Sequence, residues 1–128
     1  MNILFLTRYG RLGASSRVRA MQFLPEFECL GWRCDVSPLF DDGYVEALYG
    51  QHRRERLVVS GFMRRFGRLL SVRKYDLIWI EKELFPFCPA LAERLLRLFN
   101  IPYVVDYDDA VYHRYDVHVW WLMQVKVV

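Results

Sequence analysis

Four short apolar runs, interleaved with stretches of helical spacing, constrain this chain more than any other feature. NILFL at residues 2–6, WRCDVS at 32–37, DLIWI at 76–80 and IPYVVDYDDA at 101–110 are brief and bounded by polar loops. Apolar residues run on continuously in the first, third and fourth, without polar alternation, as in strands covered on both faces. Between the first two, Ala20, Phe23, Leu24, Phe27 and Leu30 recur three and four residues apart. With Ser15 or Ser16 as cap and Gly31 just past the end, they predict a helix over residues 16–30, kinked at Pro25. Residues 38–43 read as a loop, 44–49 as a short helix, and 89–99 as a helix with Pro89 in its first turn and Asn100 at its end. Strand, helix, strand, helix, strand, helix, strand spells an α/β fold, a parallel sheet flanked by helices and joined by right-handed crossovers. In such sheets ligands bind beyond the carboxyl ends of the strands, where the strand order switches.

Length and composition narrow the class. The 128 residues suffice for a single domain, and 54% hydrophobic with 16% aromatic content excludes disorder. No segment approaches the roughly 20 apolar residues of a membrane-spanning helix, and the first apolar run is too short for a signal peptide. The formal charge of +3 is too small to announce a nucleic-acid protein. Cys29, Cys34 and Cys88 are odd in number and form no C-x-x-C pair, which argues against a disulfide scaffold or zinc site and for a reducing, cytoplasmic setting.

The loops at the carboxyl ends carry the chemistry. Gly10 and Gly13, accompanied by Arg8, Arg11 and Arg17, precede a helix start, where free amides hold a phosphate; the spacing matches no standard phosphate loop, and a turn that needs glycine explains it equally well. Glu81, Lys82 and Glu83 follow the third strand, and Asp106, Asp108 and Asp109 the fourth, so two acidic clusters are expected at one edge. Sugar hydroxyls would satisfy them, and so would ion pairs with Lys82 or Arg114. His113 and His118 lack a second ligand at metal spacing and read as packing or surface residues. Residues 51–74 hold eight Lys or Arg against one acid, Glu55. There Val58, Val59, Phe62, Met63, Phe66, Leu69 and Leu70 gather on one helical face and Arg64, Arg65 and Arg68 toward the other. From Arg53 to Lys74 this basic helix either touches anionic lipid or covers the sheet with its arginines in solvent; nucleic acid is excluded because aromatics are not interleaved on the basic face.

Taken in order, NILFLTRYGRLGASSRVRA, FECLGWRCDVSPL, YDLIWIEKELFPF and IPYVVDYDDAVYHRYD make residues 1–116 resemble the N-terminal half of a GT-B glycosyltransferase of the group 1, family four type. The resemblance implies a Rossmann-like domain that binds the acceptor, facing a second domain that binds a nucleotide sugar. It places Gly10 and Gly13 near the donor phosphates and Glu81 at the cleft mouth. It also puts Asp108 where relatives carry a histidine that contacts the transferred sugar, which makes Asp108 the catalytic candidate. Arg17, Glu81, Glu83, Asp106 and Asp109 are the candidates for holding acceptor or sugar. The substrates implied are a nucleotide sugar and a glycan or lipid-linked acceptor, handled in the cytoplasm or at the inner membrane surface, without cofactor or metal. Asp106 and Asp108 also match the D-x-D cation motif of another glycosyltransferase fold, a chance pattern here with no neighbouring ligand set.

The donor-binding half of that family is absent from these 128 residues. Catalysis by charge stabilisation needs donors on both sides of the cleft, so little or no transfer by the chain alone is expected. The tail VHVWWLMQVKVV, residues 117–128, also departs from the family and would be an aggregation hazard unless covered. A truncated or frame-altered product would account for both. The other reading is a non-catalytic sugar- or nucleotide-binding module whose tail docks a partner. A phosphoacceptor receiver is excluded, since Thr7, Arg8 and Tyr9 stand where it needs an acidic pair.

Overall fold

NILFL forms strand β1 (Asn2–Leu6), whose alternate side chains serve two cores, one on each face. Leu4 and Leu6 pack with Ile78, Ile80, Val72, Tyr75, Leu84, Leu96 and Ile101. Ile3 and Phe5 pack on the other side with Ala20 and the partly buried Leu24, Phe27, Trp32, Leu77 and Trp79. Double coverage is why the run lacks polar alternation. The computed structural model describes residues 1–50, 52–86 and 91–107, the side chains of residues 91–93 and 95 apart. Strands β2 (Arg33–Val36), β3 (Leu77–Glu81) and β4 (Tyr103–Asp106) join β1 in the order β2-β1-β3-β4, and every pair is parallel. The fold is thus a small α/β domain with a Rossmann-like sheet flanked by helices. The chain leaves β1 toward β2 and returns across it to β3, so the order switches between β1 and β3.

The expected helix over residues 16–30 is two. Helix α1 (Ala14–Arg19) stops at Ala20, a single 3-10 turn follows, and α2 (Leu24–Cys29) begins with Pro25 in its first turn. A proline inside one continuous helix would remove a hydrogen bond and press on the preceding turn, whereas a first turn needs no amide there. Gly31, at φ +76°, closes α2 as the sequence indicates: its amide donates to Glu28 and that of Trp32 to Phe27. Asn100, at φ +53°, closes α5 (Leu91–Leu98) in the same manner. Helix α3 (Asp42–Tyr49) is capped by Asp41, whose carboxylate accepts the Tyr44 amide at 3.1 Å.

Helix α4 (Glu55–Leu69), followed by a 3-10 turn at Val72–Lys74, corrects the expected orientation. The buried residues of this helix are Gly61 and Arg65, while Val59, Met63 and Phe66 are exposed, as is Leu70 just beyond. Two features turn it this way. A Cβ on Gly61 would lie 2.2 Å from the Leu39 carbonyl oxygen, so glycine lets the helix axis approach that backbone. Arg65, 1% exposed, donates to the carbonyls of Thr7, Ser37 (3.2 Å) and Leu84 (3.4 Å), which belong to three separate loops. Buried carbonyls gain more from a charged fork than from a methyl group.

Candidate functional site

Glu81, the last residue of β3, lies at the switch point and is 1% exposed. Its carboxylate accepts hydrogen bonds from Ser16 Oγ at 2.6 Å, Ser15 Oγ at 2.8 Å and the Arg8 amide at 3.0 Å. Ser16 Oγ in turn accepts the Tyr9 amide at 3.0 Å. The serines therefore do not cap α1; Gly13 takes that position, and the two hydroxyls of the first turn face the end of β3. Parallel pairing of β1 with β3 brings residues more than sixty positions apart into this cluster.

Gly10 and Gly13 lie in the loop after β1 as expected, and both are buried. Their immediate requirement is intramolecular. A Cβ on Gly10 would fall 2.4 Å from the Asp42 carboxylate, and one on Gly13 would fall 2.2 Å from Tyr9 Cβ. The amides of this loop are largely engaged: Gly10 donates to Phe40, Gly13 to Gly10, and Leu12 to Asp42 Oδ1 at 2.9 Å. An acidic side chain thus sits on the loop where the sequence suggested an anion.

The other rim residues pair across the edge. Arg8 faces Glu83 at 3.8 Å, both largely buried. Arg19, at the end of α1, grips Asp106 of β4 through two parallel hydrogen bonds. Lys82, at φ +65°, turns the chain after β3, and its amide donates to the Asp106 carbonyl. Arg17 is exposed, its guanidinium reaching the Arg11 carbonyl at 3.4 Å. The parallel sheet therefore brings Gly10, Gly13, Glu81, Glu83 and Asp106 to one edge, while the Arg17 guanidinium is engaged with the Arg11 carbonyl. The catalytic candidate Asp108 and Asp109 lie outside the described residues, as do Cys88, His113, Arg114, His118 and the tail.

Two surfaces result. One is the polar edge at the ends of β1, β3 and β4, which carries the buried Glu81 and the ion pairs Arg8–Glu83 and Arg19–Asp106. The other is an open cleft of about 260 Å³ beside it, between the glycine loop and the end of β2, lined by Gly10, Arg11, Met21, Leu24, Pro38 and Asp42 among others. Just past the carboxyl ends of β1, β2 and β3, burial pushes the Arg65 guanidinium down to about 9, with the charge of Arg64 lowering it further and Glu81 opposing. That value leaves Arg65 cationic at neutral pH, a fixed positive charge that Glu81 feels. Among the described residues no group of three or more His, Cys, Asp or Glu side chains is placed to hold a metal ion.

Sequence reasoning missed Ser15, Ser16, Arg19, Asp42 and Arg65 as parts of this edge. Ser15 and Ser16 carried a signal, two hydroxyls at a helix start, that was assigned to capping. Arg19 and Asp106 stand 87 positions apart, a separation at which no local pattern operates. Comparison with protein-family models, curated proteins and solved structures returns no match for this chain.

Proposed function

We propose that this chain forms the acceptor-side domain of a sugar-transferring enzyme of the GT-B type, one wall of a cleft whose other wall binds a nucleotide sugar. The carrying observation is the edge at Glu81: a buried carboxylate at the strand-order switch, with the Arg8–Glu83 and Arg19–Asp106 ion pairs on the same edge of the sheet. A polyol offers each hydroxyl as donor and acceptor together, which paired guanidinium and carboxylate groups match. The neighbouring cleft, at about 260 Å³, falls just under the roughly 300–1,000 Å³ of drug-sized sites; its lining is largely apolar, with Arg11, Asp41 and Asp42 as the polar groups that could meet a sugar ring. In this reading Glu81, Glu83 and Asp106 orient the acceptor, and Gly10 and Gly13 bring the backbone close to the donor. Asp108, just after the last described residue of β4's loop, is the proposed base.

A non-catalytic sugar-binding module is favoured by one observation, that Glu81, Glu83 and Asp106 each already have a partner within the chain. Mixing this chain with candidate nucleotide-sugar-binding domains and measuring nucleotide release on adding acceptor separates the two. Transferase function predicts release that depends on both chains and is lost in Asp108→Asn. Sugar binding with no release in any pairing supports the module, and neither binding nor release overturns both.

A further inference from the structure

We infer that the outer face of α4 docks onto an anionic lipid surface, a role independent of the sugar chemistry proposed for the edge. Val59, Met63, Phe66 and Leu70 are 61, 66, 56 and 77% exposed. At about 100° per residue they fall within an arc of roughly 60°, a continuous apolar stripe along the helix. The helix cannot roll to bury this stripe, because its opposite side is held by Gly61 against Leu39 and by Arg65 across three loop carbonyls. Beyond the helix, the Arg73 guanidinium lies 5.1 Å from the Phe99 ring centroid, and Phe99 is itself exposed.

The charges around this patch decide its partner. Arg53, Arg56, Arg73 and Lys74 are exposed on the same segment, and residues 51–74 contain one acid, Glu55. A second copy seated on the stripe would bring these cations against their own kind. Lipid headgroups carry the opposite charge, and the acyl boundary beneath them accepts Val, Met, Phe and Leu side chains, the arrangement of an in-plane amphipathic helix. The orientation differs from the expectation drawn from sequence: the side facing the lipid is the apolar stripe with its basic margins, and Arg65 takes no part because it is buried.

The test is co-sedimentation of the full chain with vesicles of phosphatidylcholine alone and with phosphatidylglycerol added, at low and high salt. Binding is expected to the anionic vesicles, weakened by salt and absent from neutral ones. Met63→Glu with Phe66→Glu should abolish it, and Arg56→Gln with Arg73→Gln should weaken it about 30-fold, about fivefold per cation. These positions are exposed, so unchanged circular dichroism and thermal midpoints should accompany both variants; Met63→Gln with Phe66→Gln repeats the test without added charge. Absence of binding to anionic vesicles, or equal binding by the stripe variants, overturns the inference. Self-association that M63E/F66E dissolves, in a chain that ignores vesicles, assigns the face to a second copy instead.

Discussion

Arg65 holds the Thr7, Ser37 and Leu84 carbonyls together with one fork, and replacing it tests what that fork contributes. Arg65→Met keeps much of the volume and removes an incompletely compensated charge, but leaves three carbonyls short of a donor. The net expected loss is about 2–4 kcal/mol in urea unfolding, with Arg65→Lys recovering only part because one ammonium cannot span three acceptors. An unchanged midpoint would remove the clamp from the account. At Tyr75, desolvation raises the phenol, aided by its short hydrogen bond to Asp35. The folded state therefore holds that proton more tightly than the unfolded chain, and the stability it contributes is complete below about pH 10 and lost as pH rises beyond it. The difference between the unfolding curves of the native chain and Tyr75→Phe should shrink across that window; a constant difference would contradict it. Neither residue was legible in the sequence, since a helical arginine among arginines and a tyrosine before a strand carry no mark of partners 19 to 58 positions away.

At the scale of elements, the strands and helix ends were the readable parts. Continuous apolar runs located β1, β3 and β4, Asn100 marked the end of α5, and Gly31 sits where a left-handed residue must. Pro25, expected as a kink, is a helix start: Ala20, Leu24 and Phe27 still pack on the sheet across the break, whereas Phe23 and Leu30, expected on the same face, are exposed. Helix α4 shows the limit more sharply. Its period reveals an apolar stripe but not which side of the helix meets the sheet, and that is settled by Gly61 and Arg65, which hydrophobic patterning treats as polar filler. Gly61→Ala should cost about 1–3 kcal/mol, since the added methyl meets backbone and not a movable side chain. Chemical denaturation measures it, and a neutral effect would mean that α4 sits farther from Leu39 than described.

For the molecule as a whole, the order β2-β1-β3-β4 gathers strand ends from four distant segments at one edge, as the alternation of elements predicted. What the sequence could not supply was the pairing within that edge. Arg8, Arg19, Ser15 and Ser16 from the first loop and helix meet Glu83, Asp106 and Glu81, pairings that no local pattern in the sequence marks, while Arg114, one of the partners expected for the acids, lies outside the described residues. Among the described residues no helix is long and apolar enough to cross a membrane. The most direct test of the proposed sugar site is a nuclear magnetic resonance titration of the labelled chain with simple sugars and nucleotide sugars. The account predicts shifts concentrated at the amides of Arg8, Tyr9, Leu12 and Lys82, weakened in Glu81→Gln under conditions where that variant remains folded. Shifts confined to the opposite edge, at Asn2, Arg33 and Tyr103, or no shift with any sugar, would contradict it.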